Sequence, residues 1–338
     1  MPIALDATYS LGRNLSGVGV YSREILFGLA RAHPRERFLF CYRPHRFWRS
    51  FRDRLPNNAT RRLLSGVPPG EVFHALNQRV ERAGRRTVAT FHDLFAITGD
   101  YSSPEFRARF AAQARQAAEA CDRIVAVSQF TALQLQEVLG VERSRIRVVP
   151  HGVKIPTPPA APRENLVLFV GAIQRRKNIA GLVKAFERLP GSWRLALAGS
   201  AEGYGAEAEL RAVENSPRRA DIDVLGYVTD AQRDALYARA RIFAFPSRDE
   251  GFGMPVLEAM AHGVPVVTSD RSALPEVAGD AALLASPEDT DAIADAMLRL
   301  ATNAALRENL SQRGLARARE FSWESAVVRT WAVYQEIR

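Results

Sequence analysis

The sequence has few cysteines and no long hydrophobic run. Its 338 residues include only Cys41 and Cys121, too few for a disulfide framework, and neither lies at a spacing typical of metal ligands. No apolar stretch reaches the roughly 18 residues that a membrane-spanning helix requires, and residues 1–9 lack the pattern of a signal peptide. These absences predict a cytoplasmic protein that is neither exported nor transmembrane.

Lysine is also scarce, although the chain is strongly basic. The net charge is +9, and Lys154, Lys177 and Lys184 are the only lysines, so arginine supplies almost all of the positive charge. A basic surface suits nucleic acid, anionic lipid or phosphorylated substrates, and arginine-rich composition also follows from genome-wide base composition. The charge alone therefore does not identify a partner.

The pattern of hydrophobic residues indicates an α/β protein. With 47% hydrophobic and 25% charged residues, a chain of this length suits two domains that each bury a core. Short β-branched runs alternate with longer amphipathic stretches, which is typical of parallel sheets covered by helices on both faces. Strands are predicted at residues 3–5, 38–40, 72–73, 88–91, 124–127, 166–170, 195–198, 222–225, 242–245 and 264–267. Helices are predicted at residues 17–32, 104–120, 129–139, 178–189 and 323–337.

A proline-rich stretch divides this pattern into two series. Residues 154–162 contain four prolines, and such a stretch continues neither a helix nor a central strand. We predict a doubly wound domain over residues 1–155, a linker over 156–164 and a second doubly wound domain over 165–322. The tail at 323–338 is predicted to be a packed helix that returns to the first domain or rests on the second.

The segment from Glu250 to Glu258 carries the strongest functional signature. It follows a predicted strand as a glycine-bearing loop, and a helix begins near its proline, where proline is well tolerated. Backbone N–H groups at a helix start bind anions. The backbone predicted to do so belongs to Phe252, Gly253, Met254, Pro255 and Val256. Carboxylates accept hydrogen bonds from vicinal hydroxyls, which suits Glu258 to a ribose and Glu250 to a sugar. The alternative is that Glu250 lies in a turn and Glu258 on a solvated helix face.

With this segment and its continuation Ala-Met-Ala-His-Gly-Val-Pro-Val-Val, the chain resembles the retaining glycosyltransferases of family 4 over nearly its whole length. The resemblance implies the GT-B fold, in which two Rossmann-like domains face each other across a cleft, the first on the acceptor side and the second binding the nucleotide sugar. It implies metal-independent transfer, without a cofactor, from a donor such as GDP-mannose or UDP-glucose to a glycan or lipid-linked acceptor. Residues 171–178 are more similar to mannosyltransferases that use GDP-mannose.

A basic segment after the predicted strand 166–170 is the second candidate site. Fixed cations before a helix suit a diphosphate whose charge grows as the glycosidic bond breaks. Arg176 and Lys177 match the phosphate-binding pair of the family that the chain resembles. Many members also have an arginine where this chain has Ala172, and Arg175 is the candidate substitute. The alternative is a basic loop in solvent.

Further candidates lie in the predicted first domain. His92 ends a predicted strand, and the resemblance implies that it lies beside the donor sugar, so His92 and Glu250 are the candidate catalytic residues. Glycines in the loop 14–21 let the backbone approach a ligand at a predicted helix start. The resemblance implies that this loop lies opposite the donor phosphates and borders the acceptor, and Gly17 is the candidate within it. Ser128 begins another predicted helix and is either an N-cap or a ligand contact.

Residues 42–55 combine aromatic and basic side chains. Phe47, Trp48, Phe51 and Leu55 recur at helical spacing among arginines. Such a helix lies on an anionic membrane surface, where lipid-linked acceptors are found, or it packs its aromatic face into the core. Both interpretations remain open at the level of sequence.

Other classes of function fit the sequence less well. Gly12, Gly17 and Gly19 do not give the Gly-x-Gly-x-x-Gly spacing of a dinucleotide-binding oxidoreductase. A sugar-nucleotide epimerase or a phosphorylase shares the GT-B fold, but the paired glutamates favour a transferase. An arginine-rich nucleic-acid binder leaves the glycine-bearing loops without a role, so no nucleic-acid partner is expected.

Overall fold

The computed structural model describes residues 1–12, 15–157 and 162–338. Asn14, in the predicted amino-terminal loop, and residues 158–161, in the predicted linker, lie outside these ranges. Residues 151–157 and 162–164 form neither helix nor strand. The described chain divides into two compact units, the first formed by residues 1–100, 104–152 and 321–338 and the second by residues 101–103 and 153–320.

The first unit contains a seven-stranded parallel sheet in the order β3-β2-β1-β4-β5-β6-β7. Its strands are β1 (Ile3–Asp6), β2 (Phe38–Tyr42), β3 (Ala59–Leu63), β4 (Val72–Ala75), β5 (Thr87–Phe91), β6 (Arg123–Ala126) and β7 (Ile146–Val148). Its helices are α1 (Gly17–Ala32), α2 (Pro44–Phe47), α3 (Phe95–Thr98), α4 (Pro104–Ala120) and α5 (Gln129–Leu139), with a further helix from the end of the chain.

The second unit contains a six-stranded parallel sheet in the order β10-β9-β8-β11-β12-β13. Its strands are β8 (Leu166–Val170), β9 (Arg194–Ala198), β10 (Ile222–Gly226), β11 (Ile242–Phe245), β12 (Val266–Ser269) and β13 (Ala282–Ala285). Its helices are α6 (Ile179–Phe186), α7 (Ala206–Glu214), α8 (Asp230–Arg239), α9 (Met254–Ala261), α10 (Leu274–Ala278), α11 (Thr290–Thr302) and α12 (Ala304–Arg319).

The final helix, α13 (Trp323–Gln335), belongs to the first unit and packs against α1. Two glycines make room for it. A Cβ atom at Gly28 would meet Val327, and one at Gly152 would overlap the backbone nitrogen of Trp323. The chain therefore leaves the first unit after residue 152 and returns to it 168 residues later.

The prediction of two parallel-sheet Rossmann-like units is confirmed, but three strands were missed, most predicted strands differ from the observed ones by one or two residues at an end, and the helix after β8 was predicted too long. β3, β7 and β13 were not predicted, because β3 carries Arg61 and Arg62, β7 has three residues, and β13 is a half-exposed edge strand. β12 begins at Val266 rather than at residue 264. The helix after β8 runs over Ile179–Phe186 rather than 178–189, because Asn178 is in the left-handed region with φ 57°.

None of the helices in the described part of the chain combines the length and hydropathy of a membrane-crossing helix.

Candidate active site

The loop between β11 and α9 brings the first candidate residues to the carboxyl edge of the second sheet. Gly253 caps α9 with φ 103°, and a Cβ atom there would approach Leu274 Cδ2 to 2.6 Å, so only glycine suits this position. The helix begins at Met254, and Pro255 occupies its first turn. The segment is therefore a strand, a glycine-bearing loop and a helix start, as the sequence indicates.

The prediction that the backbone from Phe252 to Val256 offers unpaired N–H groups is wrong for two residues. Pro255 has no N–H, and the N–H of Val256 donates to the Gly253 carbonyl at 3.0 Å. The N–H groups of Gly253 and Met254 donate to no described residue. An anion at this helix start would therefore meet the backbone of those two residues.

Glu250 is buried in contact with two cations of the second unit. Its Oε1 atom contacts Lys177 Nζ, lies 2.9 Å from Arg176 Nη1, and accepts a hydrogen bond of 2.6 Å from Ser247 Oγ. Burial alone raises the pKa of Glu250, but the charges of Arg176 and Lys177 outweigh it, and with hydrogen bonds from Lys177 and Ser247 they lower this pKa to about 2. The carboxylate is thus ionised and already neutralises part of the positive charge.

Arg176 and Lys177 lie in a short 3₁₀ helix, Arg175–Lys177, between β8 and α6. Arg176 donates to the Asp249 carbonyl, and Lys177 Nζ lies 4.6 Å from the centre of the Phe245 ring. Both side chains are buried, which excludes the alternative of a solvated basic loop for these two residues. From the sequence, the two cations and Glu250 were predicted as parts of separate sites. In the structure they are in contact and form one cluster.

The position after Gly171 and its proposed substitute are both exposed. Ala172 and Arg175 lie on the surface of the second unit. The Arg175 carbonyl accepts a hydrogen bond of 2.8 Å from Arg248 Nη1, and the Arg176 carbonyl accepts one of 2.8 Å from the Arg248 N–H. These bonds tie the basic segment to the loop after β11, so the two candidate segments form one site.

Glu258 lies on α9 in a different environment from Glu250. Its Oε2 accepts a hydrogen bond of 3.1 Å from Tyr237 OH and lies 3.9 Å from Arg233 Nε. Burial raises the pKa of Glu258, and the charge of Arg233 and the hydrogen bond from Tyr237 oppose that rise. The Glu258 side chain is therefore held by Tyr237 and is still 20% exposed.

Three residues around the glutamates were missed from the sequence. Ser247 holds Glu250, whereas Tyr237 and Arg233 on α8 hold Glu258. Tyr237 is fully buried and reads in the sequence as an ordinary core residue of a helix. The hydroxyl of Ser247, two residues after the end of β11, was the one signal available, because ligands bind at the carboxyl edge of such parallel sheets.

His92 directly follows β5 in the first unit. Its Nε2 donates to the Leu76 carbonyl at 2.9 Å, which leaves Nδ1 without a proton in the neutral ring. Burial lowers the pKa of His92 to about 4, so the ring is neutral near pH 7. The ring meets Tyr21 edge-on at 4.8 Å and is stacked on His151 at 5.4 Å.

A buried hydrogen-bonded chain continues from this aromatic cluster, and it was not predicted from the sequence. Tyr21 OH and His74 Nε2 each lie 2.8 Å from Thr90 Oγ1, and His74 Nδ1 lies 2.6 Å from the hydroxyl of Tyr334 on α13. Burial lowers the pKa of His74 to about 3. The chain of bonds connects α1, two strands and α13 beneath His92.

The two other candidates at helix starts differ in role. Gly17 is the exposed first residue of α1, with open space where a side chain would lie, while Ser16 caps the helix by accepting from the Gly19 N–H. Ser128 Oγ accepts from the Thr131 N–H at 3.0 Å, which confirms its interpretation as an N-cap.

The interpretation of residues 42–55 as a helix with its aromatic face in the core is wrong. The helix α2 has four residues, continues as a 3₁₀ helix over Trp48–Arg52 and ends there, so Leu55 is outside it. Trp48 is 79% exposed and Phe51 is 57% exposed. Their rings stack on each other at 5.9 Å, and Arg61 lies 5.0 Å from the centre of the Phe51 ring.

Two family models match the chain. Residues 154–317 match the model of glycosyl transferases group 1, and residues 31–155 match that of Glycosyltransferase Family 4. The chain is also similar to O-antigen chain mannosyltransferase B of Escherichia coli, with 35% identity over 281 residues that cover 78% of this chain and 74% of the relative. It is 29% identical to the serotype-specific mannosyltransferase WbdA of Escherichia coli over 70% of this chain, which spans about a third (32%) of that longer protein.

The fold has close counterparts among solved structures. The sucrose-phosphate synthase of Thermosynechococcus elongatus superposes with a TM-score of 0.80 and 21% identity, covering 99% of this chain and 98% of that one. This likeness concerns the fold, which is GT-B, whereas the family models and the Escherichia coli relative identify the group. The chain belongs to the group 1 glycosyltransferases of family 4 and is a glycosyltransferase.

Proposed function

We propose that this glycosyltransferase transfers mannose from GDP-mannose, with retention of anomeric configuration, to a hydroxyl group of a glycan or lipid-linked acceptor. The observation that carries the choice of sugar is the 35% identity to a mannosyltransferase that acts on an O-antigen chain. Transfer from UDP-glucose or another UDP-sugar is the alternative donor. Epimerisation of a sugar nucleotide without an acceptor is the alternative reaction.

The second unit offers a donor site with divided roles. Arg176 and Lys177 are proposed to hold the diphosphate, since fixed cations stabilise the negative charge that develops on it as the glycosidic bond breaks. The N–H groups of Gly253 and Met254 add backbone donors at the start of α9. Glu258 is proposed to accept hydrogen bonds from the ribose hydroxyls through its exposed side.

Glu250 is proposed to have one role before the donor binds and another when the donor is bound. When no donor is bound, its carboxylate contacts both cations through Oε1 and limits the cost of burying them. Among the described residues, the three side chains that contact the Glu250 carboxylate all do so through Oε1, so Oε2 is the oxygen proposed to accept from a hydroxyl of the transferred sugar. His92 is the residue of the first unit proposed to contact that sugar.

We also propose that the transfer needs no metal ion or cofactor, because Arg176 and Lys177, whose charge Glu250 offsets only in part, supply fixed positive charge for the diphosphate. The test is the initial rate of transfer after dialysis against a chelator. We expect the rate to be unchanged, and a loss that is restored by Mg²⁺ or Mn²⁺ would contradict this part of the proposal.

The donor site is tested by a thermal-shift screen against GDP, UDP, ADP and dTDP and their sugar conjugates. We expect stabilisation by GDP and GDP-mannose that is lost in Lys177→Ala and Glu258→Ala. Lys184→Ala and Glu207→Ala remove the same side chains from exposed positions of the second unit and serve as matched controls. Selective stabilisation by UDP would mean that the donor is a UDP-sugar rather than GDP-mannose. No shift with any nucleotide at millimolar concentration would refute the donor site.

The reaction is tested by incubating the enzyme with GDP-mannose and Escherichia coli lipid-linked oligosaccharide fractions. We expect GDP release that depends on acceptor, and an α-linked product by NMR, since GDP-mannose carries an α-linked sugar and the proposal is retention. A β-linked product would contradict retention. Conversion of the donor to another sugar nucleotide without acceptor would favour the epimerase.

We further propose that the exposed aromatic residues of 42–55 contact an anionic membrane surface. Trp48 and Phe51 are exposed beside Arg49 and Arg52, a combination that favours the interface of anionic lipid. The test is cosedimentation with phosphatidylglycerol vesicles, compared with phosphatidylcholine vesicles. We expect binding to the former only, reduced in the double variant Trp48→Ala/Phe51→Ala and unchanged in Val328→Ala, which removes an exposed apolar residue elsewhere.

A further inference from the structure

A cavity of about 150 Å³ in the first unit is lined by three arginines and one glutamate. Arg43 directly follows β2, Leu64 directly follows β3, and Arg79, Glu81 and Arg82 lie in the loop after β4. Because these strands belong to one parallel sheet, with β1 between β2 and β4, the residues that follow them lie toward its carboxyl edge, the edge where doubly wound sheets bind ligands. His92 follows β5 at the same edge.

Arg43 is the buried member of this arginine cavity. Its side chain is 5% exposed, its Nη2 donates to the Arg79 carbonyl at 3.0 Å, and the same atom lies 3.4 Å from Asp6 Oδ2. The Nε atoms of Arg43 and Arg79 are buried and have no hydrogen-bond partner among the described residues. A buried guanidinium N–H without an acceptor is costly, so the protein alone does not fully satisfy these arginines, and an additional acceptor placed among their guanidinium groups would stabilise the structure.

Glu81 already occupies part of that place with a carboxylate. Its Oε1 contacts Arg43 Nη1 and lies 3.0 Å from Arg79 Nη2, although 63% of its side chain is exposed. Three arginines against Asp6 and Glu81 leave one net positive charge around the cavity. Planar guanidinium groups suit phosphate oxygens, which they bind with two hydrogen bonds at once.

We propose that the arginine cavity binds a phosphate group carried by the acceptor. The assignment to the acceptor rests on the proposed function, in which the first unit binds the acceptor, whereas phosphate binding itself does not. The phosphate displaces the exposed Glu81 carboxylate from Arg43 and Arg79 and accepts from Arg82. The acceptor chemistry that follows is a phosphorylated one, a polyprenyl-type lipid phosphate or a phosphorylated glycan.

Phosphate binding is measured by isothermal titration of Lys177→Ala with inorganic phosphate and with methyl phosphate, since that background weakens the second phosphate site in the other unit. We expect Arg82→Gln to weaken binding roughly tenfold. Glu81→Gln is expected to strengthen binding, because it removes the competing carboxylate. Arg85→Gln is the control, because it removes an exposed arginine from the same loop that does not line the cavity.

Two results would overturn the site. One is the absence of phosphate binding in the Lys177→Ala background, and the other is an equal loss in Arg82→Gln and Arg85→Gln, which indicates general electrostatic attraction. Both can occur while GDP still stabilises the protein, and phosphate can bind while no nucleotide does. Failure of the cavity and failure of the proposed donor site are therefore distinguishable.

The source of the phosphate is identified by competition. A short-chain alkyl phosphate and a hexose phosphate are each titrated against bound methyl phosphate. Displacement by the alkyl phosphate alone supports a lipid-linked acceptor, and displacement by the hexose phosphate alone supports a phosphorylated glycan. If neither competes, the assignment to an acceptor is wrong.

Discussion

Glu250 is the residue on which the electrostatics of the proposed donor site depend. Its carboxylate contacts two buried cations, and removing one partner of a buried ion pair costs about 3–5 kcal/mol of stability. With its pKa lowered to about 2, this stabilisation is fully present above the ordinary value of 4.5 and is lost only as the pH falls through about 2. Glu250 thus stabilises the site at every pH at which the enzyme would work.

The first prediction concerns Glu250→Gln. We expect the free energy of unfolding to fall by about 3–5 kcal/mol, because Arg176 and Lys177 lose the carboxylate that both contact. GDP is expected to recover part of this loss, since its diphosphate supplies negative charge to the same cations. The measurement is urea unfolding with and without GDP. Glu207→Gln is the control, and equal stability of both variants would contradict the prediction.

A second prediction concerns Tyr237, whose hydroxyl holds Glu258. We expect Tyr237→Phe to raise the KM for the donor roughly tenfold with little change in kcat, since a hydrogen bond to a charged group is lost from a binding residue. Tyr204→Phe removes a hydroxyl from an exposed tyrosine of the same unit and should leave KM unchanged. A fall in kcat at constant KM would assign Glu258 to the chemical step instead.

At the scale of elements, the sequence predicts the fold better than it predicts the site. Strands that form continuous apolar runs, such as β8 and β11, were predicted because both faces of a parallel sheet are buried. β3 was missed because its edge position accommodates two arginines, the half-buried Arg61 and the exposed Arg62, which interrupt the apolar pattern. The motif from Glu250 to Glu258 was identified from its residue types and their spacing. The contact between Glu250 and Lys177 could not be predicted in this way, because it joins residues 73 positions apart and has no local signal.

The third prediction tests how α13 is held. Gly152→Ala places a methyl group against the backbone of Trp323, which cannot move as a side chain can, so we expect a loss of at least about 1–3 kcal/mol. Gly191→Ala is the control, because that glycine has open space around it. Thermal unfolding monitored by tryptophan fluorescence gives both values. Equal melting temperatures would show that α13 shifts without cost.

At the scale of the whole molecule, acid pH is expected to act on the first unit. Burial lowers the pKa of His74 to about 3 and of His92 to about 4, and it lowers that of His151 well below 6.5. All three are neutral when folded and take up protons near 6.5 when unfolded. The stability that they contribute is therefore present above about pH 6.5 and is lost as the pH falls toward the folded values. Glu258, with its raised pKa, has the opposite dependence.

The fourth prediction follows from these signs. We expect the urea midpoint to be lower at about pH 5 than at about pH 7.5, and amide exchange to rise first in the first unit. His92→Gln should flatten the dependence, because one of the three protonation steps is removed. His45→Gln, at an exposed position, should not change it. Identical midpoints at the two pH values would contradict the prediction.

The return of α13 to the first unit also orders events during synthesis on the ribosome. Residues 153–320 have all emerged, and the second unit can fold, while the first still lacks its last helix. Until then, His74 lacks its partner Tyr334, which lies 260 residues later in the chain. The ring nitrogen of His74 that is buried in the finished core therefore has no hydrogen bond from Tyr334 at this stage. Translation thus completes the amino-terminal unit last, and a nascent chain stalled before residue 321 should expose that unit to chaperones and proteases.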